Sequence, residues 1–291
     1  MAPETAIAGE RRHVLPDETR LGAAHLRVAS LDRAADFYKR VLGFVEHGRE
    51  GDTLRMGAGG EDLIVLRELP GARAVSRHSG LYHVAILYPS QLELARVMQR
   101  IAETQAPIQG ASDHGTHEAI YLPDADGNGL ELAWDRAPEL WPDITKIDKI
   151  APQPLDMGGL FNLVSGREAE PLADPATIVG HVHLHVGDIE QSQHFYRDLL
   201  GFDLKTKIDV AAFVSAGGYH HHLAFNTWQG VGAPPAPADA IGLDWWTIEL
   251  PEEAVGEARA RLTDGGAETA DVDGGFAAAD PSGNRVHVVS A

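Results

Sequence analysis

Short stretches that alternate apolar and polar residues recur along this chain, and each leads into a segment with helical spacing. "AAHLRVAS" (23–30) and "GHVHLHVGD" (180–188) alternate with a period of two, as strands with one buried face do. They are followed by "LDRAADFYKRVLGF" (31–44) and "IEQSQHFYRDLLGF" (189–202). These two segments are amphipathic at helical spacing, and glycine stops them at Gly43 and Gly201. A second pair of strands, "GLYHVAILYP" (80–89) and "GLDWWTIELP" (242–251), leads into the helical segments "QLELARVMQRIAE" and "EEAVGEARARLTDGG". Each helix of this pair is followed further on by a turn and strand, "DADGNGLELAW" (124–134) or "DPSGNRVHVV" (280–289).

The pattern predicts four units of one strand, one helix and about three more strands, over roughly 20–68, 80–136, 178–228 and 241–291. Residues 1–19 form an N-terminal arm. The first domain covers 20–136, a Pro-rich connector 137–177, and the second domain 178–291. The fold class is α+β.

Composition narrows the function. Apolar residues make up 44% of 291, as in a globular protein. No apolar run approaches the roughly 20 residues that span a bilayer, and the polar N-terminus has no secretory core. The absence of cysteine excludes disulfides and thiolate metal sites, and fits a cytoplasmic location. A net charge of −19 argues against nucleic acid and anionic membrane as partners. Fifteen histidines are a high count, and three of them are adjacent in "GYHHHLAFNTW" (218–228). Strand alternation there predicts that His221 points opposite to His220 and His222.

The repeated "FYxxxLGF" helix and "DxxGN" turn resemble the βαβββ modules of the vicinal oxygen chelate superfamily. That superfamily includes glyoxalase I, bleomycin-resistance proteins and extradiol dioxygenases. The resemblance covers all four units and implies paired modules whose sheets form open barrels around a metal. Its ligands come from the first and last strands of a module. Those positions hold Ala23, His83, His181 and Trp245 on the first strands, and Glu131 and His287 after "GN". Only modules two and three keep a convincing set, His83, Glu131 and His181, so modules are expected to pair 1 with 4 and 2 with 3. His183 and His185 share a face with His181 and stay open as alternatives to it.

Two imidazoles and a carboxylate leave one metal face vacant, as in non-haem Fe(II) oxygenases. The strand that would supply a fourth ligand in a glyoxalase reads "HHHLAFN" and holds no carboxylate. The resemblance therefore implies an extradiol ring-cleaving dioxygenase, with Fe(II), or Mn(II), as cofactor, and a catechol-type substrate and dioxygen as partners. The alternatives are a glyoxalase-like lyase or isomerase and a non-catalytic binding or resistance protein. The "HHLAF" segment matches the family's acid–base histidine at His221. Tyr121 and His114, with His117 as its rival, match residues that touch substrate. A homo-oligomer is compatible with the sequence.

Overall fold

The computed structural model describes residues 14–143 and 152–291. Most of the expected arm and part of the connector lie outside them. Module one supplies β1 (Arg20–Val28), α1 (Leu31–Phe37), β2 (Val45–Glu50), β3 (Thr53–Gly57) and β4 (Ile64–Glu68). Module two supplies β5 (Gly80–Leu87), α2 (Gln91–Thr104), β6 (Gly110–Asp113), β7 (His117–Pro123) and β8 (Gly129–Asp135). The connector holds β9 (Gln153–Pro154) and α3 (Met157–Val164). Module three supplies β10 (Ile178–His185), α4 (Ile189–Gln193), β11 (Asp203–Ile208), β12 (Ala211–Ser215) and β13 (Leu223–Asn226). Module four supplies β14 (Gly242–Leu250), α5 (Glu252–Asp264), β15 (Thr269–Val272), β16 (Gly275–Ala279) and β17 (Arg285–Ser290).

Two sheets result. One runs β15-β16-β17-β14-β1-β4-β3-β2 and the other β11-β12-β13-β10-β5-β8-β7-β6-β9. The antiparallel pairs β1–β14 and β10–β5 join module 1 to module 4 and module 2 to module 3, as the ligand positions predicted. Among the described residues neither sheet closes, and each ends in edge strands. The connector is more than a tether. β9 adds to the edge of the second sheet, and α3 buries Leu160 and Val164 in the core.

The repeated motifs lock the halves together. Ser30 and Asp188 cap α1 and α4 by accepting from Arg33 and Gln191 backbone N–H groups. Each helix then widens into a π-helical turn that ends at Gly43 or Gly201. Gly43 has φ 74°, and a Cβ there would lie 2.7 Å from the Ala173 nitrogen, so both backbone and space demand glycine. Tyr38, on the module-one helix, donates to Asp124 Oδ2 at 3.1 Å, in the "DxxGN" turn of module two. Tyr196 donates to Asp280 Oδ2 at 2.9 Å, in the turn of module four. Each aspartate also accepts from the asparagine of its own turn, Asn128 or Asn284. Two arginines repeat the theme. Arg100 of α2 donates to the Leu42 carbonyl at 3.0 Å, and Arg261 of α5 to the Leu200 carbonyl at 2.9 Å. Both place a cation on the electronegative end of the partner module's helix. Modules of one half thus sit in different sheets and are held by buried polar contacts.

Candidate metal centre

Register alone brings the predicted ligands to one face of the second sheet. β10 is buried throughout its middle. Val182 and Leu184 enter the apolar core, while His181, His183 and His185 take the opposite face, as pleating requires. Across the sheet, His181 lies opposite Ala85, Ala85 beside Glu131, and Glu131 opposite Tyr121. His83 is two residues before Ala85 and so shares its face.

Three donor atoms converge there. His83 Nε2 lies 3.2 Å from His181 Nε2 and 3.0 Å from Glu131 Oε2, and His181 Nε2 lies 3.2 Å from the same oxygen. The residues His83, His181 and Glu131 are 5%, 2% and 2% exposed, so the group is closed off from bulk solvent. One carboxylate oxygen can accept from both imidazoles, but their two Nε2–H groups would then crowd each other, with the nitrogens 3.2 Å apart. A cation resolves this. Donors at about 2.1 Å from a metal, at right angles to one another, stand about 3.0 Å apart, which matches the observed spacing. Burial pushes the His181 imidazole down to about 4, the neutral form that ligates. Burial alone would raise Glu131, but the neighbouring His181 and His83 outweigh it and hold its carboxyl well below the usual range. The other oxygen, Glu131 Oε1, is buried and faces His117 Nε2 at 3.0 Å. The residues present therefore fit a divalent ion.

The alternatives separate cleanly. His183 Nε2 and His185 Nδ1 are both tied to the Asn226 amide, at 2.9 and 2.8 Å. His181 is the histidine of β10 that converges with His83 and Glu131. His114 Nε2 bonds the Tyr121 hydroxyl at 2.8 Å and stacks on His117, with ring centroids 4.6 Å apart. Burial pushes His114 down to about 4 and raises Tyr121, so both are neutral. His221 lies over His181, ring centroids 4.1 Å apart.

The expected alternation holds between His221 and His222 but fails at His220. β13 begins only at Leu223, and Gly217 and Gly218 turn the chain with φ 59° and 77°. His220 and His221 therefore face the same centre, and their Nδ1 atoms lie 2.8 Å apart. His222 turns away to Ser215 Oγ at 2.9 Å. His220 is the functional candidate that pleat reasoning missed. In the other sheet Trp245 and His287, at the equivalent positions, stack at 4.6 Å, and His25 stacks on Trp245 at 4.0 Å. A cavity of about 740 Å³ opens at the start of β5, bordered by Tyr82, Trp228 and His185 but by none of the three converging residues.

Sheets of this topology, joined across halves around a buried two-histidine, one-carboxylate group, are those of the vicinal oxygen chelate fold. The Glyoxalase/Bleomycin resistance protein/Dioxygenase superfamily matches residues 20–132 and 178–288, and the chain belongs to it. Catechol-2,3-dioxygenase of Bacillus subtilis (strain 168) is 37% identical over 272 residues, which cover 91% of this chain and 95% of that protein. The fold also resembles glyoxalase I of Zea mays, with a TM-score of 0.57 and 18% identity over 94% of this chain and 92% of that one. It resembles the cppA protein of Streptococcus pneumoniae TIGR4 too, with a TM-score of 0.58 and 13% identity over 97% and 99% of the two chains.

Proposed function

We propose that this protein is an extradiol dioxygenase that inserts both atoms of dioxygen into a catechol-type substrate at Fe(II) held by His83, His181 and Glu131. The observation that carries the reading is the convergence of those three donors beside His221 and the His114–Tyr121 pair. The relationship to the Bacillus subtilis catechol-2,3-dioxygenase supports it. A bound ferrous ion supplies the one-electron chemistry that lets a catecholate react with triplet dioxygen.

The chain's own groups do the rest. His221 takes a proton from a substrate hydroxyl and later returns one, a task suited to an imidazole. Tyr121, neutral and bonded to His114, offers its hydroxyl to a substrate oxygen. His117 stands beside the second oxygen of Glu131. His83, His117, Glu131, His181 and His221 are buried and His114 and Tyr121 half-buried, which limits water beside the reacting atoms.

The test is anaerobic loading with Fe(II), then catechol and air. The expected result is a yellow ring-opened product, oxygen uptake equal to catechol consumed, and both atoms of labelled dioxygen in the product. Oxygen-independent turnover of a hemithioacetal, with no catechol cleavage, would replace this reading with the glyoxalase one.

A further inference from the structure

Of the three neighbouring histidines, His222 turns away, while His220 and His221 face the centre and His220 alone of these two is wired to a carboxylate. His220 Nε2 lies 3.1 Å from Asp135 Oδ1, and His220 Nδ1 lies 2.8 Å from His221 Nδ1. A carboxylate can only accept, so Asp135 fixes a proton on His220 Nε2. The Nδ1 of that singly protonated ring is then an acceptor. His221 must donate from Nδ1, which leaves its Nε2 with a free lone pair.

We propose that Asp135 and His220 form a relay that holds His221 in the Nδ1–H tautomer, with Nε2 bare to receive a substrate proton. Asp135 and His220 are positioning residues that act through His221. The inference rests on the acid–base role given to His221 above.

The surroundings make the relay rigid. Tyr219 donates to the other oxygen of Asp135 at 2.7 Å, so the carboxylate cannot swing away. His117 stacks on His220 at 4.9 Å and 11°, and Trp141 meets it edge-on at 5.2 Å. His220 is 3% exposed. Donor atoms of His117, Asp135 and His220 lie within 4.8 Å of one another. Near-parallel rings direct their lone pairs along parallel planes rather than toward one ion, so this cluster is built for hydrogen bonding. Asp135 ends the strand that carries Glu131, and His220 precedes β13, so the relay ties the module that supplies the carboxylate to the one that supplies His221.

The experiment uses ring-¹⁵N-histidine-labelled full-length protein loaded with Zn(II) as a diamagnetic probe. Two-bond proton–nitrogen spectra report the tautomer of each ring, and a His221→Gln sample assigns His221. The wild type should show His221 protonated at Nδ1; protonation at Nε2 instead overturns the relay. His220→Phe keeps the stacked ring without its nitrogens. It should release the Nδ1–H preference, retain metal, and lower kcat about 10–100-fold with KM little changed. Asp135→Asn should give mixed tautomers and a smaller loss. An unchanged His221 tautomer in both variants sinks the proposal. If His220→Phe fails to fold, the wild-type spectrum and Asp135→Asn decide. If the wild type cleaves no catechol, the reaction assignment fails while the spectra still judge the relay.

Discussion

Glu131 bears more of the proposed chemistry than any other side chain, because one of its oxygens touches both imidazoles. Glu131→Ala should lose at least nine-tenths of bound metal, by the estimate that a lost charged ligand costs several kcal/mol. His287→Gln should retain it, because His287 stacks on Trp245 in the other sheet. Elemental analysis of the purified variants checks both, and full occupancy in Glu131→Ala removes that residue from the ligand set. Burial also sets an acid limit for the metal-free protein. It depresses His25, His114 and His181 to about 4 and His222 to about 3. The unfolded chain protonates these groups first, near 6.5, so unfolding near pH 5 takes up roughly four protons on these four histidines, and more on the other depressed ones, His183, His185, His220, His221 and His287. Stability is present in full above about 6.5 and should fall steadily toward pH 4. Urea titrations between pH 7.5 and 5 test the sign, and a midpoint that rises on acidification contradicts it. His83, Glu131 and His181 were legible in the sequence because His83 and His181 occupy the first-strand position of two repeats and Glu131 the last-strand position of module two. His220 was not, because consecutive glycines with positive φ keep it out of the pleat.

At the scale of elements, each half is closed by the same two clamps, Tyr–Asp and Arg–carbonyl. The Arg100 guanidinium is buried and donates to the carbonyls of Val41, Leu42 and Glu170. Arg100→Met keeps most of the volume but leaves those carbonyls short of donors. It should cost about 2–4 kcal/mol, since bonds to charged donors contribute about 1.5–3 kcal/mol each and do not add fully. Thermal or urea unfolding measures the loss, and a change within about 0.5 kcal/mol would mean water replaces the guanidinium. The helices and their glycine stops could be read from spacing. The partners of Tyr38 and Arg100 could not, because they lie in another module and spacing carries no distance between modules.

For the whole molecule, the decisive feature is that modules pair across the halves. His83 and Glu131 come from the first half and His181 from the second, so a bound ion crosslinks them. Metal held at 100 times its dissociation constant adds about 2.7 kcal/mol, or about 5 °C in Tm for a chain of this size. Stripping the metal with a chelator should lower Tm by about that amount, and restoring Fe(II) should recover it. Equal melting with and without metal would place the ion elsewhere. Among the described residues no helix is long and apolar enough to cross a membrane.

The sequence by itself determined the four-module repeat, its helices and turns, and which strands kept metal-binding side chains, since those depend on local periodicity and on comparison of repeats. The cross-pairing followed from the same comparison, because only modules two and three hold a complete ligand set. Tertiary structure alone decided that His181 rather than His183 or His185 joins the group, that His117 stands beside its carboxylate, and that Asp135 reaches His220. Those outcomes depend on where strands 50 to 100 residues apart come into register, and on a turn that breaks the pleat, neither of which a linear pattern encodes.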